Sequence, residues 1–240
     1  MTFGSIECIP PAEPVPRMCG AAGAPLATEV SWHQHLSVAD RQREGSCVGR
    51  AFASAIEISI HAGTGERVQI DAYRLWARAR STYYGNLHGG LTLGQCLSVC
   101  LMDGLLPKLG ADRVPLSRAE LCAALHRGPL VQAHSTHAGW ERLHPDNGCI
   151  DESVAFRLGQ WCHATAGIAW DIHNGVELIA GYNSWGQEYG KRGVFAMTVE
   201  HYLASAVDEP ILIDVPGQWW QKSREWRGYV TGSGTQPAKR

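Results

Sequence analysis

The sequence predicts an α+β fold, with helices gathered in its first half and strands in its second. Three observations predict it. Up to Gly128 the apolar residues recur at helical spacing between capping and stop signals. After Pro129 they fall into short runs separated by Gly, Asn and Asp. The 240 residues, 45% hydrophobic and 18% charged, suit one large domain or two small lobes around a shared cleft, and exclude wholesale disorder.

Residues 1–28 are rich in Pro, Gly and Ala and read as an extended arm without regular helix. Residues 47–62 form an almost wholly apolar helix through Val48, Phe52, Ala55, Ile56, Ile58 and Ile60, hence a buried one, ended by Gly63 and Gly65. "QIDAYRLWARAR", residues 69–80, reads as a second, amphipathic helix with Asp71 near its start. Residues 92–102 make a third, entered through "HGG" and stopped at Asp103-Gly104. Cys96 and Cys100 lie one turn apart on it among apolar residues, and are expected as buried thiols. "SRAELCAALHRG" opens with Ser117 and Glu120 at capping-box spacing and ends at Gly128-Pro129. "PLVQAHS", "TAGIAW", "GVELIAGYN", "GVFAMTV" and "PILIDV" follow as strands. The expected organisation is one domain over residues 1–230: the arm at 1–28, a mainly helical lobe at 29–128 and a mainly β lobe at 129–215, with 231–240 as a disordered tail.

A net charge of −2 gives no sign of a nucleic-acid partner. No run reaches the ~18 apolar residues of a membrane span, and the N-terminus carries no visible secretory signal. No membrane association and a cytoplasmic or other intracellular location are therefore expected. Eight cysteines in a chain of this size without a signal do not imply a disulfide framework. His144, Cys149, Cys162 and His163 lack the paired spacings of a zinc site, so no metal is expected.

Candidate chemistry centres on Cys47 in "EGSCVGRAFASAIE". A thiol behind a small-residue turn meets the positive end of a helix dipole, which favours thiolate. A nucleophilic thiol needs a base, and the base an orienter. His163 in "WCHATAGIAW" and Asn183 in "GYNSWGQEYGKRG" fit those parts. An Asn carbonyl fixes the imidazole tautomer without adding negative charge, and Trp185 is placed to shield that bond. Cys162, just before His163, reads as a small filler residue at the edge of the cleft.

In these residues the chain resembles the papain-like cysteine peptidases, in a short form with only 46 residues before Cys47 and no long pro-segment. Gly45-Ser46-Cys47 resembles the nucleophile segment, His163-Ala164 the base segment and Asn183-Ser184-Trp185-Gly186 the orienting segment, in the family's order. "NLHGGLTLGQCL" is similar to the stretch whose paired glycines, here Gly89 and Gly90, line the substrate groove. The resemblance implies a two-lobed fold: a helical N-terminal lobe carrying Cys47, a β-barrel-like C-terminal lobe carrying His163 and Asn183, and the site in the cleft between. It implies hydrolysis of peptide or protein substrates through a thioester, without metal or organic cofactor. It implies a low pKa for Cys47 and a high one for His163.

Departures from the family pattern accompany the likeness. The oxyanion-donating Gln usual six residues before the nucleophile is replaced by Arg41, with Gln42 five before; Gln42 is favoured as donor over Arg41. Glu44 and His88 stand where the family often bridges two cysteines. Cys47 and His163 are 116 residues apart, against ~130–150 in typical members. Two other readings keep the fold: a catalytically weak binding or scaffold module, and a transpeptidase using the same site. The sequence does not give the oligomeric state.

Overall fold

The computed structural model describes residues 29–37, 41–42, 45–144, 148–159, 161–222 and 228–234. The proposed arm at 1–28 lies outside them. Helix α1, Cys47–Thr64, is closed by Gly65 in the left-handed region with its N–H on His61 O; Gly63 stays inside the helix. Its isoleucines and Phe52 are at most 1% exposed. Burying each such side chain gains about 1.5–3 kcal/mol, which outweighs the ~0.7 kcal/mol or less by which Ile and Phe trail Ala as helix formers.

Where a second helix is expected from residue 69, the chain first makes a strand, β2 (Arg67–Ile70), and only then α2 (Ala72–Tyr84). The Asp71 side chain caps α2 by accepting the Arg74 N–H. Gly49 of α1 permits the close approach of α2: a Cβ there would sit 2.6 Å from Ala72 O and 2.8 Å from Trp76 Cβ. Helix α3 (Leu93–Met102) carries a full capping box between Thr92 and Gln95. At α4 (Arg118–Arg127), where the sequence suggests such a box, only half of it forms: Ser117 accepts the Glu120 N–H. Cys96 and Cys100 are free and buried, as expected from their neighbours.

Strands β1 (Val30–Ser31), β3 (Ala111–Arg113), β4 (Leu130–Ser135), β5 (Cys162–His173), β6 (Val176–Tyr182), β7 (Val194–Thr198) and β8 (Ile211–Ile213) form one seven-stranded antiparallel sheet. Its order is β3-β8-β4-β5-β6-β7, with β1 added on β5, and it stays open rather than closing into a barrel. Helix α5 (Val199–Ser205) follows β7 and α6 (Gly217–Lys222) follows β8.

Alternation along the strands divides the interior. Val131, Ala164, Ala166 and Ile168 pack with α1, α2 and α3 in one core. Leu130, Trp170, Ile179, Phe195 and Met197 pack with α4, α5 and Trp140 in the other. The small side chains of β5 let α1 lie directly on the sheet, which brings the start of α1 to the start of β5. The expected disordered tail is corrected in part: Val230–Gly234 form β9, paired antiparallel with β2, while residues 235–240 lie outside the described set. Among the described residues no helix is long and apolar enough to cross a membrane.

Candidate active site

The turn before α1 is built around Gly45, at φ +72°. A Cβ at this position would stand 2.5 Å from Gly89 O, so the nucleophile turn and the glycine loop touch backbone to backbone. Gly45→Ala is therefore expected to cost about 1–3 kcal/mol, seen as a fall in Tm of several degrees; an unchanged melting curve would remove this account of the turn. Ser46, the N-cap, is buried and makes no side-chain capping bond. The backbone N–H dipoles of Ala164 on β5, of Val48 and of Cys47 itself favour the charged form of the Cys47 sulfur. Cys47 is 1% exposed. Burial outweighs these donors and pushes its thiol up to about 11.

Ala164, packed in one core with Cys47, follows His163 in the chain. His163 is buried near the start of β5, and its Nε2 meets Asn183 Oδ1 at 2.7 Å. The same Oδ1 accepts the Ser184 N–H at 2.7 Å. Oδ1 is thus an acceptor toward both neighbours, which places the imidazole proton on Nε2 and leaves Nδ1 with its lone pair. Asn183 is fixed at the end of β6 by its own N–H on Gly193 O, 2.7 Å. Burial drives His163 down to about 4, with the Asn183 hydrogen bond working against that shift. Both directions reverse the low thiol and high imidazole implied by the resemblance. The cause is desolvation, which disfavours the charged form of each group.

Trp185 covers the imidazole, with ring centroids 4.8 Å apart, and Trp140 stands edge-on to it at 6.3 Å. Trp140, fully buried, is the part sequence reasoning missed; a lone indole in the polar stretch "STHAGWERL" was its only signal.

The two candidate oxyanion donors face different ways. Arg41 bridges Trp185 through its backbone, and its guanidinium, 63% exposed, reaches Glu188 at 3.9 Å. Gln42 donates its N–H to Ser184 O at 2.7 Å and accepts the Ser184 hydroxyl on Oε1 at 2.5 Å. The Gln42 carboxamide is therefore anchored by its oxygen, which leaves the NH2 end as donor.

Gly89 and Gly90 follow α2, Gly89 at φ +86°. Their carbonyls are already engaged, by Trp76 Nε1 at 3.2 Å and Arg80 Nη1 at 2.8 Å. Cys162 is disulfide-bonded, which corrects its reading as a mere filler. Among the described residues no group of three or more His, Cys, Asp or Glu is placed to hold a metal ion.

The sequence matches no protein-family model and no curated protein. Solved structures do match. Xylellain, a cysteine protease from Xylella fastidiosa, superposes with a TM-score of 0.72 over 89% of this chain and 96% of its own, at 19% identity. The fold is that of the papain-like cysteine proteases. Procathepsin L 3 from the larval midgut of Tenebrio molitor gives a TM-score of 0.61 over 82% of this chain and 74% of its own, at 18% identity. Bromelain from Ananas comosus, in complex with the E64 inhibitor, gives 0.63 over 79% and 100%, at 14% identity. In this chain α1 starts at Cys47, and His163 is the second residue of β5.

Proposed function

We propose that this chain is a cysteine-type peptidase that hydrolyses peptide bonds through Cys47, His163 and Asn183. One observation carries the reading: Asn183 Oδ1 holds the buried His163 imidazole at 2.7 Å, on the strand whose Ala164 packs in one core with Cys47. In this reading Cys47 Sγ attacks the scissile carbonyl carbon and its proton passes to His163 Nδ1. The C–S bond forms as the carbonyl becomes an oxyanion. The C–N bond then breaks, and His163 delivers the proton to the leaving amine. Water then attacks the thioester carbon, giving a proton to His163; the C–O bond forms, the C–S bond breaks, and His163 returns the proton to the Cys47 sulfur.

In this reading the cycle starts from a neutral thiol and a neutral imidazole, the forms that burial favours, and the charged pair arises by proton transfer inside the site, with no change in net charge. The N–H groups around the sulfur and the Asn183 bond behind the imidazole favour that transfer. The Cys47 N–H and the Gln42 NH2 are assigned to the oxyanion. Gln42→Ala is expected to lower kcat by about 10²–10³ with KM little changed, measured by steady-state hydrolysis of a fluorogenic peptide. Loss of that size in Arg41→Ala instead would transfer the role to Arg41.

The test of the function is labelling with E64, the inhibitor held in the bromelain structure, read by intact mass and peptide mapping. One adduct, on Cys47, is expected. No adduct, or equal labelling of several cysteines, would favour a binding module on the papain-like scaffold.

A further inference from the structure

The loop between α2 and α3 is held from below by a buried arginine that has no carboxylate partner among the described residues. Arg80 is 7% exposed. Its Nη1 donates to Gly90 O at 2.8 Å and its Nη2 to Asn86 Oδ1 at 2.5 Å. Its guanidinium carbon lies 3.9 Å from the centroid of the Tyr84 ring, and its Nε is buried without a partner among the described residues. Asn86 Oδ1 also accepts the His88 N–H at 3.1 Å. The Tyr84 hydroxyl takes a hydrogen bond from Gln95 Nε2 at 3.0 Å, and Gln95 is the residue that closes the capping box of α3. One guanidinium thus fastens both ends and the middle of residues 84–90. A buried cation is costly, and an apolar side chain of similar size would fill the space more cheaply. What this cation supplies is position.

The held loop has a direction. With both carbonyls turned to Trp76 and Arg80, the N–H groups of Gly89 and Gly90 make no hydrogen bond among the described residues. The same loop abuts Gly45, two residues before Cys47. We propose that Arg80 is a positioning residue, whose guanidinium sets the Gly89-Gly90 segment so that its N–H groups meet the backbone of an extended peptide beside Cys47. This rests on the peptidase reading for its substrate and on the structure alone for the loop. Lysine cannot replace it, because one ammonium lacks the planar fork that reaches two acceptors and stacks on an aromatic ring.

The experiment compares wild type with Arg80→Met and Arg80→Lys, in kinetics and in hydrogen exchange. For a peptide spanning several residues before the cleaved bond, both variants are expected to raise KM on the order of 10-fold or more, with kcat falling less than threefold. Within residues 85–91, exchange of the His88 amide, bonded to the Asn86 Oδ1 that Arg80 holds, is expected to speed up at least 10-fold, with α1 unchanged. If Arg80→Met does not fold, Asn86→Ala removes the Nη2 and His88 anchors and is expected to move the same two readouts. Unchanged exchange in residues 85–91 overturns the proposal whatever the kinetics. So does a fall in kcat with KM unmoved. If wild type cleaves no peptide, the peptidase reading fails by itself, and the exchange comparison still decides the role of Arg80.

Discussion

Replacement of Cys47 by alanine is expected to lower peptide hydrolysis by on the order of 10⁴-fold or more and to abolish E64 labelling. The fold should survive the change. Cys47 is 1% exposed and packs in the core shared by α1 and β5, so the substitution deletes one buried sulfur. That costs about 1–2 kcal/mol, a shift in Tm of roughly 2–8 °C for a chain of this length. The two readouts separate chemistry from packing. A merely structural thiol would move Tm and leave turnover alone, whereas a nucleophile does the reverse in proportion. Residual hydrolysis within tenfold of wild type, in a sample free of contaminating protease, would end the assignment.

A second large effect is expected on stability in acid. His134 pairs in register with His163 across β4 and β5 and is wholly buried. Its Nδ1 meets Ser205 Oγ at 3.1 Å, the Tyr202 ring stands edge-on at 4.6 Å, and Nε2 has no partner among the described residues. Burial first, then the neighbouring His201 and His163, drives its pKa down to about 3. In the unfolded chain it titrates near 6.5. Between those values the unfolded state binds the extra proton, so stability is complete above about pH 6.5 and is lost as pH falls toward 3. His163 acts in the same sense between 6.5 and about 4.

Each group contributes a slope approaching about 1.4 kcal/mol per pH unit within its window. Together they remove several kcal/mol, a large share of a typical 5–15 kcal/mol. Denaturant unfolding at a series of pH values should show stability falling from pH 6.5 to 4. His134→Gln should reduce that slope by close to one proton, whatever it does to stability at neutral pH. An identical slope in the variant would mean that the cation is accommodated and His134 is not excluded from protonation.

Much of this architecture is legible from residues near one another. Gly65 stops α1 because only a left-handed residue closes the turn, and the runs of β4 to β8 announce themselves by Gly and Asn on their flanks. Misreadings arise where the deciding partner is distant. Gln69 and Ile70 read as the start of the following helix, yet they end strand β2, because residues 230–234 lie alongside it. The capping box expected at Ser117 is half made, while the complete one is at Thr92, whose Gln95 also serves Tyr84.

The candidate site divides in the same way. Cys47, His163 and Asn183 are readable because each residue type suits one chemical part and they follow one another in order. Between Arg41 and Gln42 the sequence favours Gln42 only through the resemblance; what each side chain meets, Glu188 for Arg41 and the Ser184 hydroxyl for Gln42, is set by the fold. Arg80 reads as a surface charge on an amphipathic helix until the loop that covers it is in place.

By itself the sequence determined the segregation of helices from strands, the buried character of α1 and the identity of the groups able to do chemistry. Those follow from local spacing and from what each side chain is made of. Only the tertiary structure decided the open sheet, the partner of β2, the direction in which burial shifts Cys47 and His163, and the burial of Arg80. Each of these depends on how much water remains around a group once distant segments close over it, and that is a property of the packed chain rather than of any stretch of it.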